Sequence, residues 1–215
     1  MSHSTTPMDD EPPPGRPRLA PGPLRFPDPP LTDGVVVLRQ LRAEDAEAVQ
    51  RACSDPVTQR WLDMLPVPYE LDDARRFIDR AGRDWLTGHA AVFAIADDDD
   101  TLLGAIAVQA GRTRRPFVGY WVGPWARGRG VASRSLSLIA PWAIRTLDAA
   151  RLELFVEVGN SASERVAEKA GFLGEGTLRA YDDGRDGPID LIMYSLLPVD
   201  LEPMARPAAK VMTSS

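Results

Sequence analysis

Apolar residues recur along this chain with two different periods. Leu71, Ala74, Phe77, Ile78, Ala81 and Trp85 fall three and four positions apart, which predicts an amphipathic helix over 71–86. Ala46, Val49, Ala52 and Cys53 make a similar stripe over 43–54; Pro56 forbids its continuation, and a short helix at 57–62 follows. Leu152, Leu154, Val156 and Val158 instead alternate with Glu153 and Glu157, the period of a strand over 151–158. The Val-rich stretch 34–41 and the apolar runs 91–96, 102–108 and 117–122 predict further strands. Two more, 173–181 and 188–197, flank a turn at 182–187. A long helix is expected over 130–147, kinked or bent at Pro141, and another over 161–170, ended by Gly171. The order is mixed α/β with seven strands and strand–helix–strand units in the second half.

The ends of the chain read differently. Half of the 20 prolines lie in residues 1–30, so 1–32 is expected to be a disordered tail. Residues 201–215 read as a second, shorter one, leaving one domain over 33–200. With 215 residues the chain suffices for one medium domain. The N-terminus lacks the basic start and apolar stretch of a secretory signal, and no apolar run is long enough to span a bilayer. A single cysteine and two histidines exclude a disulfide framework and make a His/Cys metal centre a poor expectation, so no metal is expected. Asp97–Asp100 suits a solvated turn better than a metal site. A cytoplasmic location follows as the expectation.

Charge is unevenly placed. The formal net charge is −6, which disfavours general binding of nucleic acid or of an anionic membrane. Yet residues 101–147 contain seven arginines and no Asp or Glu. Inside that segment, between a strand and a helix, lies Arg127-Gly128-Arg129-Gly130-Val131-Ala132-Ser133. Glycines let the backbone approach a ligand, and a helix start presents unpaired N–H groups and the positive end of its dipole. The combination predicts a phosphate cradle. It lacks the Lys-Ser/Thr of a P-loop, and Ser133 stands where a dinucleotide fingerprint needs its third glycine, five residues too late after the strand.

Gly119-Tyr120-Trp121-Val122 followed by Arg127-Gly128-Arg129-Gly130-Val131-Ala132 resembles motif A of the GNAT acetyltransferases. Asn160, Ser163 and the run from Val166 to Phe172 resemble that family's motif B, and the wording is closest to the RimJ/RimL branch. The resemblance covers about 34–198. It implies a mostly antiparallel central sheet of six to seven strands, flanked by helices, with a central pair splayed apart to admit acetyl-CoA as cosubstrate. By the same resemblance, the backbone of Arg127, Gly128, Arg129, Gly130, Val131, Ala132 and Ser133 would hold the CoA pyrophosphate. Trp121 and Val122 would pair with the pantetheine arm, a backbone N–H there polarising the thioester carbonyl. Asn160 would contact the pantetheine, although a helix N-cap explains it equally well.

Many members place a Tyr seven residues after the motif B Asn to protonate the leaving thiolate; here Ala167 stands there. Ser163, one turn earlier on the same face, is the catalytic candidate in its place, against the plainer reading of a first-turn helix serine. Its hydroxyl is too weak an acid for pKa matching, so it would hydrogen-bond the thiolate or relay a proton. Arg115-Pro116-Phe117 occupies the place where relatives often carry a Glu; Glu157, late in its strand near the expected splay, is the candidate base, otherwise a surface carboxylate. Tyr120 and His89 are weaker candidates, better read as core or surface, and Trp121, Trp125 and Trp142 as packing residues. On the acceptor side, Asp63 and Glu70 suit a cationic amine, or in the case of Glu70 a helix start.

The expected activity is acetyl transfer from acetyl-CoA to a primary amine, on a protein N-terminus or a small molecule. The competing readings are a non-catalytic acyl-CoA-binding module and a polyanion binder built on the arginines. A partner bound through the Pro-rich tail, and a homodimer, are both compatible with the sequence.

Overall fold

The computed structural model describes residues 18–201, Thr113 excepted. Eight strands form one sheet: β1 (Leu31–Thr32), β2 (Val37–Arg39), β3 (Ala90–Ala96), β4 (Leu102–Arg112), β5 (Arg115–Val122), β6 (Leu152–Glu157), β7 (Leu173–Gly184) and β8 (Gly187–Leu196). Their order is β1-β2-β3-β4-β5-β6-β8-β7, and every pair is antiparallel except β5 with β6. The helices are α1 (Ala46–Cys53), α2 (Pro56–Trp61), α3 (Leu71–Thr87), α4 (Val131–Thr146) and α5 (Ser161–Lys169).

Strand β3, Ala-Ala-Val-Phe-Ala-Ile-Ala, is buried along its whole length, and its period of two divides the core. Ala91, Phe93 and Ile95 join the side filled by Leu136, Ile139, Ala140 and Ala143 of α4. Ala94 joins Val49 and Cys53 of α1, Tyr69, and Ala74 of α3 on the other. The alternation of Leu152, Leu154 and Val156 buries those three on the α4 side. Helix α3 starts on a capping box formed by Glu70 and Asp73 and stops at Gly88 in the left-handed region. Helix α4 runs through Pro141 rather than ending there.

Two expectations need correction. The sheet has eight strands, not six to seven, because Leu31–Thr32 pairs with Val37–Leu38. The segment 18–32, assigned by composition to a disordered tail, packs on the domain. Leu19, Leu24 and Phe26 lie against the α4-side core, Phe26 within 5.3 Å of the Trp85 ring and 5.2 Å of Phe93. The backbone N–H of Leu19 donates to Gly88 O at 2.6 Å and that of Leu24 to Trp85 O at 2.9 Å. A few apolar anchors and backbone bonds outweigh the proline content here. Residues 1–17 and 202–215 of the expected tails lie outside the described residues.

Candidate active site

The parallel pair β5–β6 is joined only at Phe117↔Glu153 and Val118↔Leu154. Beyond that point β5 continues to Val122 paired with β4 alone, and β6 to Glu157 paired with β8 alone. The two strands therefore diverge, and each turns an unladdered backbone edge toward the gap between them. Such an edge carries N–H and C=O groups ready to pair with an extended ligand. Within β5 the side chains alternate across the sheet: Tyr120 and Val122 pack toward the α4 side, Trp121 toward α1 and α3.

The chain leaving β5 is firmly anchored. A Cβ on Gly123 would lie 2.6 Å from the Trp125 ring, so only glycine fits there. The Trp125 indole N–H donates to Leu102 O at 3.0 Å, and the Arg51 guanidinium stacks 4.1 Å over the ring. Arg127 does not turn its guanidinium toward the glycine loop: it bonds Asp55 Oδ2 at 2.5 Å and Thr58 Oγ1 at 2.7 Å, tying the loop to the start of α2. Burial raises the Asp55 pKa, but the bonds from Arg127 and the Thr58 N–H outweigh it and hold that carboxyl below its ordinary value.

Gly128 and Gly130 then take φ of +73° and +77°, a region that L side chains seldom enter. A Cβ on Gly128 would meet nothing within 4 Å, and one on Gly130 only Ser133 Oγ at 3.9 Å and Arg134 Nε at 4.0 Å. The space in front of both is open. Gly130 is the N-cap of α4, with no side chain capping the helix, and Arg134 N makes a 3.0 Å bond to Gly130 O. The N–H groups of Val131, Ala132 and Ser133 precede that bond and are left to point out of the helix start. Ser133 spends its own hydroxyl on Gly130 O at 3.0 Å. Arg129 is exposed beside them, while Arg134 pairs with Asp33 at 2.6 Å. A pocket lined by Asp33, Ser133, Arg134, Ser137, Leu138 and Lys169 continues along α4.

Across the gap, Asn160 caps α5, its Oδ1 accepting from Ser163 N at 3.2 Å. The Ser163 hydroxyl lies 2.7 Å from the Tyr120 hydroxyl. Burial pushes the Tyr120 pKa up to about 12, with the Ser163 bond opposing it, so the phenol stays neutral at physiological pH. Glu157 ends β6 with its side chain 13% exposed and an ion pair to Arg60 of α2 at 2.8 Å. Arg60 in turn stacks 4.4 Å from the Trp61 ring. The candidate base and the candidate thiolate partner thus approach the gap from different elements, α2 beside the first and α5 bearing the second.

The loop that carries Asp63 is latched down. Arg185, at the β7–β8 turn, donates to Asp63 O at 3.2 Å and Leu65 O at 3.1 Å, fastening the loop between α2 and α3 to the hairpin. Glu70, read as either an acceptor contact or a helix start, is the α3 cap residue. His89 is buried at the α3–β3 corner, 2.7 Å from Thr87 Oγ1. Trp142 packs edge-on against Phe93 at 5.3 Å. In the Asp97–Asp100 turn, Asp100 pairs with Arg39 and Arg42. Cys53 is buried, which pushes its thiol up to about 11 and leaves it a poor nucleophile.

Sequence reasoning missed two features of this site, the Tyr120–Ser163 contact and the Arg60 partner of Glu157. The alternation of β5 was a usable signal for the first, since it puts Tyr120 on the same face as Val118 and Val122. Nothing local signals the second, which joins residues 97 apart in the chain.

A sequence profile of the acetyltransferase (GNAT) domain matches residues 36–173. The uncharacterized N-acetyltransferase p20 of Bacillus licheniformis is 29% identical over 165 residues, covering 75% of this chain and 92% of that protein. Among solved structures, Mycobacterium smegmatis RimJ in complex with CoA-disulfide matches with TM-score 0.71 and 24% identity, over 86% of this chain and 92% of that one. RimL, a ribosomal L7/L12 alpha-N-protein acetyltransferase in complex with coenzyme A, matches with TM-score 0.69 and 21% identity, over 78% of this chain and 96% of that one. At these identities the two structures share the fold. Among the described residues no helix is long and apolar enough to cross a membrane.

Proposed function

The chain belongs to the GNAT N-acetyltransferase family, and from that premise we propose that it transfers the acetyl group of acetyl-CoA to a primary amine in a ternary complex. The acceptor is a protein N-terminus or a small-molecule amine. The observation that carries this reading is the β5–β6 gap with the glycine loop at its mouth, open where Cβ atoms on Gly128 and Gly130 would project. That space is the proposed seat of the pyrophosphate.

Backbone N–H groups of Gly128, Arg129, Gly130, Val131, Ala132 and Ser133 hold it, helped by the positive end of α4. Arg127 contributes backbone alone, its guanidinium being engaged by Asp55. The free edge at Trp121 and Val122 receives the pantetheine arm, and an N–H of that edge steadies negative charge on the carbonyl oxygen. The Asn160 carbonyl is committed to Ser163 N, so it is the amide NH2 of Asn160 that turns to the arm. Bound acetyl-CoA supplies an activated thioester. Ser163 donates its hydroxyl proton as a hydrogen bond to the departing sulfur, and Glu157 takes a proton from the amine.

Glu157, the candidate base, is held in an ion pair with Arg60, so an acceptor that arrives already neutral asks least of it. At pH 7 an α-amine of pKa about 7.7–8 is neutral in roughly one molecule in ten, whereas a lysine of pKa about 10.4 is neutral in fewer than one in a thousand. The site therefore favours an α-amine, in keeping with its likeness to RimL, an alpha-N-protein acetyltransferase. The test is CoA release, followed with a thiol reagent, over N-terminal peptides, lysine peptides and polyamines. Turnover at least ten-fold faster on free N-termini than on lysine side chains is expected. Turnover on lysine or polyamine alone would refute the α-amine assignment, and acetyl-CoA binding with no turnover on any amine would favour an acyl-CoA-binding module.

A further inference from the structure

Three helical hydroxyls bond a carbonyl of the preceding turn: Ser133 donates to Gly130 O, Ser135 to Val131 O at 2.9 Å and Thr87 to Arg83 O at 2.8 Å. Ser163 departs from that pattern. Its hydroxyl is paired with the Tyr120 hydroxyl at 2.7 Å, across the gap between β5 and α5. A serine hydroxyl has one proton to give and two lone pairs to receive. If Tyr120 donates, the Ser163 proton is released to point elsewhere; if Ser163 donates, it is spent.

The phenol is the more acidic of the two hydroxyls and so the better donor, and its burial keeps it protonated across the neutral range. Asn160 Oδ1 meanwhile fixes the backbone of Ser163, so the Cβ–Oγ bond has a defined starting point. We propose that Tyr120 is a positioning residue for leaving-group departure: its hydroxyl donates to Ser163 Oγ and frees the Ser163 proton for the thioester sulfur. The proposal rests on the acetyltransfer reading, and on Ser163 facing the sulfur.

In the step concerned, the amine nitrogen bonds to the carbonyl carbon, the C–S bond breaks, and its electron pair stays on sulfur. The chain Tyr120 O–H to Ser163 O–H to sulfur strengthens as that charge appears, because each bond polarises the next. No proton leaves either side chain. The nitrogen gives its proton to the base, and the thiolate is protonated from solvent after release.

The experiment compares wild type, Tyr120→Phe, Ser163→Ala and the double variant, using the acceptor found by CoA release. Acetyl-CoA affinity is measured separately by calorimetry. Tyr120→Phe removes one oxygen and leaves the ring in place. Its kcat is expected to fall roughly five- to ten-fold with KM for acetyl-CoA unchanged within two-fold. Ser163→Ala is expected to fall further, and the double variant to match Ser163→Ala within two-fold. Wild-type kcat in Tyr120→Phe beside an impaired Ser163→Ala overturns the proposal, as do losses that multiply in the double variant. Wild-type kcat in Ser163→Ala overturns the Ser163 assignment and the proposal with it. Wild-type protein that binds acetyl-CoA but acetylates no amine overturns the acetyltransfer reading itself.

Discussion

The glycine loop makes a sharp prediction at Gly130. With φ at +77°, alanine there is strained, at a cost to folding of about 1–2 kcal/mol, but it meets no steric obstacle. Glutamate pays the same strain, and its charge at the start of α4 returns about 0.3–1 kcal/mol through the helix dipole. Gly130→Glu should therefore fold at least as well as Gly130→Ala. The two variants differ in what they do to an anion. A carboxylate roughly 6 Å from a phosphate repels it by about 0.7 kcal/mol at ε ~80 and about 2.8 kcal/mol at ε ~20. Two pyrophosphate charges at intermediate screening give about 2–4 kcal/mol, a loss of roughly 30- to 1000-fold in acetyl-CoA affinity. Gly130→Ala should lose less than about five-fold, since a methyl group leaves the neighbouring N–H groups in place. Calorimetric titration with acetyl-CoA, beside thermal melts of both proteins, makes the comparison. Raising ionic strength toward 1 M, where the Debye length falls to about 3 Å, should recover part of the glutamate loss alone. Equal affinities for the two variants would refute the assignment of the cradle.

Three further outcomes test other parts of the structure. Asp55→Asn keeps an N-cap for α2 but loses the charge facing Arg127, so it should cost about 1 kcal/mol near neutral pH in urea unfolding. Because the folded pKa of Asp55 is depressed, its contribution is complete above the ordinary carboxylate value of about 3.9 and lost as pH falls through the lower folded value. The difference between the two proteins should therefore shrink as pH falls below the ordinary carboxylate value, and a gap that stays constant throughout the acid range would contradict the ion-pair account. Glu157→Gln should lower kcat by about 100-fold if the carboxylate takes the amine proton, with acetyl-CoA affinity untouched; an unchanged kcat removes it from the mechanism. Phe26→Ala should destabilise the domain by about 2–3 kcal/mol, below the range for fully buried Phe because Phe26 is half-buried. A loss under about 0.5 kcal/mol would return residues 18–32 to the status of a loose tail.

What was legible in the sequence was local. The Leu152–Val156 alternation and the Leu71–Trp85 stripe are short-range periods, and the structure has β6 and α3 within a residue or so of where they fall. The glycine loop was legible for the same reason: positive φ is demanded of Gly128 and Gly130 themselves. Strand β1 was not, since two residues carry no period and exist as a strand only through their partners in β2. The Tyr120–Ser163 contact depends on where β5 and β6 part, which a single pair of register contacts decides.

Charge shows the same division. The acid-free arginine segment suggested a strong anion field, but three of its guanidinium groups are engaged by carboxylates from outside it: Arg114 by Asp148, Arg127 by Asp55 and Arg134 by Asp33. Segment charge is a sum over sequence, whereas a ligand meets a sum over space. What faces the open side of the loop is chiefly backbone N–H, the dipole of α4 and Arg129. An anion cradle made mostly of backbone should tolerate loss of a single arginine far better than any change that brings a carboxylate in front of its N–H groups. Arg129→Ala ought therefore to weaken acetyl-CoA binding by only a few fold, beside the much larger loss for Gly130→Glu. If the order were reversed, the side-chain charge would be the main attraction and the geometry of the helix start incidental.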